Sequence, residues 1–238
     1  MNSDSEIRYH GSTLSGSTQN TQSDSLLGNR SQLDGLVINI ELTITSIIQG
    51  VALSFLCAAA TASLSHGRIE DLPYIINGGL LILLFWSRCI GHALTLIRWP
   101  LDFTHNFFYF GAAFLEAISF GQIGNPAAWY CVLMVFALVV WLLFILDQRL
   151  MNQRAAASAN GKSKQLFQLL NRDQKLNIGL FVPGFVLFHG AAAWVSFALS
   201  SAWPAAHFVF VAAQFILFAA YLVRFVTLMR QVFCLMEP

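Results

Sequence analysis

Residues 126–146 read PAAWYCVLMVFALVVWLLFIL, a stretch without one charged residue that opens on a proline and is followed at once by Asp147, Gln148 and Arg149. Wound as a helix it rises about 1.5 Å per residue and so matches a hydrocarbon core of about 30 Å. In a soluble protein such a run would have to be buried on every side. In a bilayer it needs no cover, and the rest of the chain decides between the two.

Outward from this stretch, apolar segments of comparable length recur at 35–64, 74–98, 102–123, 177–200 and 204–226. Pro73, Pro100, Pro126 and Pro204 stand at the starts of four of the six, where the missing N–H of proline has no helical partner to lose. Pro183 is different: it falls within a span next to Gly184 and predicts a kink there. Hydrophobic residues make up 56% of the chain, charged residues only 11%, and the 21 Phe exceed what one soluble core of this size hides from water. The expectation is an all-α fold, a polytopic membrane helix bundle with six transmembrane helices.

Direction follows from the flanks. The loop at 147–176 holds Arg149, Arg154, Lys162, Lys164, Arg172 and Lys175, a large share of the 13 basic residues. By the positive-inside rule this loop is cytoplasmic, which makes the chain N-in and C-in, in a plasma membrane or a bacterial inner membrane. Residues 1–34, rich in Ser and Thr and poor in apolar clusters, read as a disordered polar cytoplasmic tail, and residues 35–238 as the membrane domain. Within the loop, Leu166, Phe167, Leu169 and Leu170 lie among Lys164 and Arg172. Their spacing fits either an amphipathic helix on the inner leaflet or a solvated extension of the fifth span.

Polar side chains at bilayer depth are costly and normally face the bundle interior. On the first span Glu41, Thr45 and Gln49 form a stripe at helical spacing. Beside it Ser46, Gly50, Ser54, Cys57 and Thr61 form a stripe of small residues, the pattern that lets helices approach closely. The second span carries Arg88 and His92 one turn apart, with Asn77 and Thr95 roughly in line, and the third carries His105, Tyr109, Ala112, Glu116 and Ser119 as a seam. His189, Ala193 and Ser196 mark the fifth span, and His207, Gln214 and Tyr221 the sixth. The fourth span, apolar apart from Tyr130, reads as the one that faces lipid.

Depth along each helix sets who can meet. Glu41 and His92 each lie about 9 Å from the cytoplasmic ends, Arg88 about 15 Å, and Gln49 and Glu116 about 21 Å. Arg88 is therefore expected to pair with Glu116, and Glu41 with His92. The polar seam predicted to carry function consists of Glu41, Gln49, Arg88, His92, Tyr109, Glu116, His189 and Gln214.

The chemistry this seam excludes is as informative. Paired imidazoles at one depth, which a haem bundle needs, are missing. No HxxxH or HExxH spacing offers a zinc site, no GxSxG a nucleophilic serine, and no Gly-rich loop a phosphate cradle. No cofactor and no metal are expected, and a net charge of +1 gives no field for nucleic acid. Two readings stay open. One is permeation or transport of a proton, ion or small solute through the seam. The other is a non-catalytic membrane subunit or sensor that binds a cytoplasmic partner through residues 147–176. An intramembrane metal-dependent hydrolase ranks below both. The expected partners are the lipid bilayer, further copies of the chain or a membrane complex, and that cytoplasmic partner.

Overall fold

The computed structural model describes residues 17–95, 103–155, 161–199, 202–203 and 205–236. Helices make up 92% of it, with no strand among the described residues. In chain order they are α1 (Ser17–Ser65), a short 3-10 turn (Ile69–Asp71), α2 (Leu72–Leu94), α3 (Phe103–Phe120), α4 (Pro126–Ala155), α5 (Gly161–Leu176), a π-helical turn (Asn177–Phe181), α6 (Val182–Ala198) and α7 (Ala206–Met236). Five helical stretches are long and apolar enough to cross a membrane: Leu42–Ser65, Ile69–His92, Pro126–Arg149, Lys164–Ala198 and Ala206–Leu235. In α3 the apolar part is the shorter Phe107–Phe120. Large side chains such as Phe114, Leu187, Trp194 and Phe197 point outward from this bundle, 66% to 77% exposed. This is the surface of an integral membrane protein, since lipid accepts what water would reject.

Several elements differ from the sequence expectation. Helix α1 begins at Ser17, not at 35, so it runs back into the segment read as a tail; residues 1–16 lie outside the described residues. Extending an existing helix requires no new nucleus, which is why polar residues can continue a span. The loop expected at 147–176 is mostly helical. Helix α4 continues to Ala155, and α5 passes through the π turn into α6. The apolar face of α5 does not lie on a leaflet: Leu166, Leu170, Asp173 and Asn177 recur on one side and are buried, while Gln174 donates to the Phe144 carbonyl of α4 at 2.7 Å.

The largest correction concerns α4. It was expected to face lipid, yet it is the hub of the bundle, packed along α3 and most extensively along α6. Trp129, Tyr130, Leu133, Phe136, Ala137, Leu143 and Phe144 of this helix are all buried. The small-residue stripe of α1 is also corrected, since Ser46, Gly50, Ser54, Cys57 and Thr61 are exposed. It is the neighbouring stripe of Thr45, Gln49, Ala52, Leu56 and Ser63 that packs. There Gly78 of α2 sets the approach, because a Cβ on it would stand 2.8 Å from Leu56 and 3.0 Å from Phe120.

The break before Pro183 takes the form of the π turn. Val182 N–H bonds back to the Asn177 carbonyl, and Pro183 has no N–H to offer the helix. The Ile178 carbonyl released by this shift accepts the Trp141 indole N–H from α4 at 2.9 Å. At the other end of the bundle the α1–α2 and α3–α4 turns meet. Asp71 receives Ser63 Oγ at 2.7 Å and pairs with Arg68 at 3.3 Å. Gly124, at φ 94°, brings its backbone against Arg68.

Candidate functional site

Helix α2 carries Arg88 and His92, the two basic side chains that organise the site. Arg88 is 93% buried, and its Nη1 donates to Asp173 Oδ2 of α5 at 2.9 Å. Asp173 also receives Arg224 of α7 on its other oxygen and Asn177 Nδ2 at 2.9 Å. Asn177 Oδ1 in turn accepts from the Tyr221 hydroxyl at 3.0 Å and from Arg224 Nη1 at 3.3 Å. One turn along α2, His92 Nδ1 lies 3.2 Å from Asp147 Oδ2 on α4. Aromatic rings close the cluster: the Arg88 guanidinium carbon sits 5.0 Å from the Phe144 ring centroid and 4.9 Å from that of Phe225. Phe225 reaches it because residue 91 is glycine; a Cβ there would stand 2.7 Å from the ring.

The expected Arg88–Glu116 pair is therefore not formed. Counting depth from a loop at 147–176 placed Asp173 outside the membrane, whereas the continuous α5–π–α6 helix carries it inward beside Arg88. Its spacing was visible, for Asp173 and Asn177 are four apart, and Tyr221 and Arg224 three apart, but only packing joins the two helices. Asp147, at the edge of the longest apolar run, was likewise missed. The expected Glu41–His92 pair concerns a Glu41 side chain that lies outside the described residues, as does the side chain of His105.

Beyond the ionic cluster a cavity of about 110 Å³ runs between α2, α4, α6 and α7. Its walls are apolar, chiefly Leu84, Phe85, Leu133, Phe136, Val140, Val182 and Phe218, with Tyr109 of α3 at one side. Arg88, His92 and Asp147 line one end, and His189 lies further along. His189 is held on both ring nitrogens. Its Nδ1 is 2.7 Å from the Phe185 carbonyl, and its Nε2 is 3.0 Å from Gln214 Nε2. A carbonyl only accepts, so the proton sits on Nδ1 and the Gln214 amide donates to Nε2, a neutral imidazole assigned from its partners. Trp129 completes the chain by donating its indole N–H to Gln214 Oε1 at 3.2 Å.

Gln49 and Glu116 lie apart from the cavity, in the contact between α1 and α3. Both are buried, and Gln49 Nε2 donates to Glu116 Oε2 at 3.1 Å. No cation pairs with Glu116 among the described residues. At the far end, the Tyr74 hydroxyl meets His207 Nδ1 at 2.7 Å, and Asn77 donates to the Val211 carbonyl at 2.9 Å.

Of the eight predicted seam residues, Arg88, His92, Tyr109 and His189 converge on one cavity, with Gln214 directly behind His189. Gln49 and Glu116 form a separate pair. Chemically, the cavity offers an apolar compartment capped by guanidinium, imidazole and carboxylate. Among the described residues no group of three or more His, Cys, Asp and Glu is placed to hold a metal ion. No protein-family model matches the chain, and no curated protein or solved structure compared with it does so.

Proposed function

We propose that this is a six-span membrane protein, N-in and C-in, of a plasma membrane or bacterial inner membrane, and that it carries a small, largely apolar solute through the cavity at its centre. One observation carries the reading: Arg88, His92, Tyr109 and His189, polar residues from three helices, line one apolar cavity inside the bundle. Small-molecule sites have this character, mostly apolar with a few placed polar groups. A proton wire or ion pore would need polar groups in continuous file. Here most of the lining is leucine, valine and phenylalanine, which favours a solute site.

The test is uptake into reconstituted vesicles. Ala137, buried on the cavity wall, is the place to plug it. In a panel of labelled small organic solutes, at least one is expected to enter vesicles containing the protein and to be stopped by Ala137→Phe. Uptake that ignores the plug would rule out this cavity as the route.

A second reading, a membrane subunit or sensor, is favoured by one feature. Helix α5 leaves Lys164, Gln165, Gln168, Arg172 and Lys175 exposed on the face away from the bundle, a surface for a cytoplasmic partner of acidic character. Replacing Lys164, Arg172 and Lys175 with Gln would abolish function under that reading and leave solute uptake unchanged under the first.

A further inference from the structure

The guanidinium of Arg88 is used on one side only. Its Nη1 is taken by Asp173, and Phe144 and Phe225 pack their ring faces against its carbon. Nε and Nη2 have no hydrogen-bond partner among the described residues, although the side chain is only 8% exposed and lines the cavity. These two nitrogens belong to one edge of the planar group, where their N–H bonds run parallel. Such an edge is the fork that grips both oxygens of a carboxylate at once. Leaving it without an acceptor in an apolar compartment is costly, and a water-poor wall of Leu84, Phe85 and Phe136 supplies none.

The acceptors at this end are already shared: Asp173 answers two guanidinium groups, those of Arg88 and Arg224. Asp147, the other carboxylate at this end, is engaged by His92. Away from Arg88 the cavity follows α2 back to Leu81, about 10 Å of helix rise, room for a chain of several methylene groups.

We propose that the cavity binds an organic carboxylate with an unbranched apolar tail, its two oxygens on the Nε–Nη2 edge of Arg88 and its tail between α2, α4 and α6. This rests on reading the cavity as a solute site, and binding is measured separately from flux so that each can fail alone.

The full-length protein in detergent is titrated with labelled octanoate, with 1-octanol as competitor. Saturable binding is expected, with octanol displacing octanoate only at concentrations at least about tenfold higher, the loss that follows when a charged bidentate contact is replaced by a single neutral one. Arg88→Lys keeps the charge facing Asp173 but removes the fork, and is expected to weaken octanoate binding about tenfold or more. Ala137→Phe fills the tail space, leaves the ionic cluster intact and is expected to abolish binding, while both variants keep the thermal midpoint of the parent to within a few degrees. Absence of octanoate binding, equal competition by octanol, or parental affinity in Arg88→Lys would overturn the proposal. Octanoate binding without uptake into vesicles would keep this carboxylate site and remove the carrier reading. Uptake of another solute through the cavity without octanoate binding would do the reverse.

Discussion

The two polar layers of this bundle are built on opposite principles. Near α5, Arg88, Arg224 and Asp173 are charged and answer one another directly. Deeper, Trp129, Gln214 and His189 form a chain of neutral donors and acceptors, and the partner of the Glu116 side chain among the described residues is a neutral amide. The ionic layer lies where helices can still be reached from the interface: Arg224 is 26% exposed and Arg88 8%. Glu116 and Gln214 have no exposure at all. The difference shows how the cost of burial grades along a bundle. Full charges are kept where opposite charges converge, and elsewhere neutral donors and acceptors answer one another.

If that contrast is real, the layers must respond unequally to substitution. The largest loss is expected from Asp173→Leu, which strands two guanidinium groups at once and should cost about 3–5 kcal/mol, the range for removing one partner of a buried ion pair. Thermal unfolding of the detergent-solubilised protein reads this directly, and Arg88→Leu added to Asp173→Leu should recover part of the loss. A wild-type midpoint for Asp173→Leu would erase the distinction between the layers.

A smaller loss is expected from Gln214→Leu. It leaves the Trp129 indole N–H and His189 Nε2 without their partner, at about 1–3 kcal/mol for a buried unsatisfied polar group. Interhelical hydrogen bonds in membranes average nearer 0.6 kcal/mol, because the separated helices also find partners, so the lower end of the range is the sharper expectation. A loss as large as that of Asp173→Leu would show that the neutral chain is as decisive as the ionic one.

The smallest effect is expected from Glu116→Gln. An amide replaces a carboxyl of the same shape whose bond is to Gln49, and the change should stay under about 1 kcal/mol by unfolding. A loss of several kcal/mol would mean that Glu116 works as an anion and would move it into the ionic class.

How much of this was legible beforehand depended on the kind of information each residue carries. Stripes on single helices were readable. Thr45 with Gln49, Tyr109 with Glu116 and Ser119, and Gln214 with Tyr221 are all buried, because helical spacing alone places them on one face. Partners were not readable in the same way. Arg88 was matched to Glu116 by counting residues inward from assumed boundaries, and the boundary failed at 147–176, where a polar stretch continues as helix and delivers Asp173 to the bundle. Helix α4 was misjudged for a related reason. Lipid tails and helix interiors are equally apolar, so hydropathy says that a segment is in the membrane without saying which neighbours it has. The small residues of α1 illustrate the same limit, since small side chains permit close approach but do not compel it.

What the sequence determined by itself is the class of the protein: a helical chain with stretches that water would reject and lipid accepts, punctuated by prolines and carrying six of its 13 basic residues between 147 and 176. Transfer of apolar surface depends on composition and length, which are properties of the chain alone. Only the tertiary structure decided that α4 is the hub, that Asp173 and Asp147 answer Arg88 and His92, and that Arg88, His92, Tyr109, Asp147, His189 and Tyr221 border one cavity. Each of these depends on distances between helices remote in sequence. In a bilayer those distances are set by packing and hydrogen bonding between particular surfaces, not by a general force that hydropathy can report.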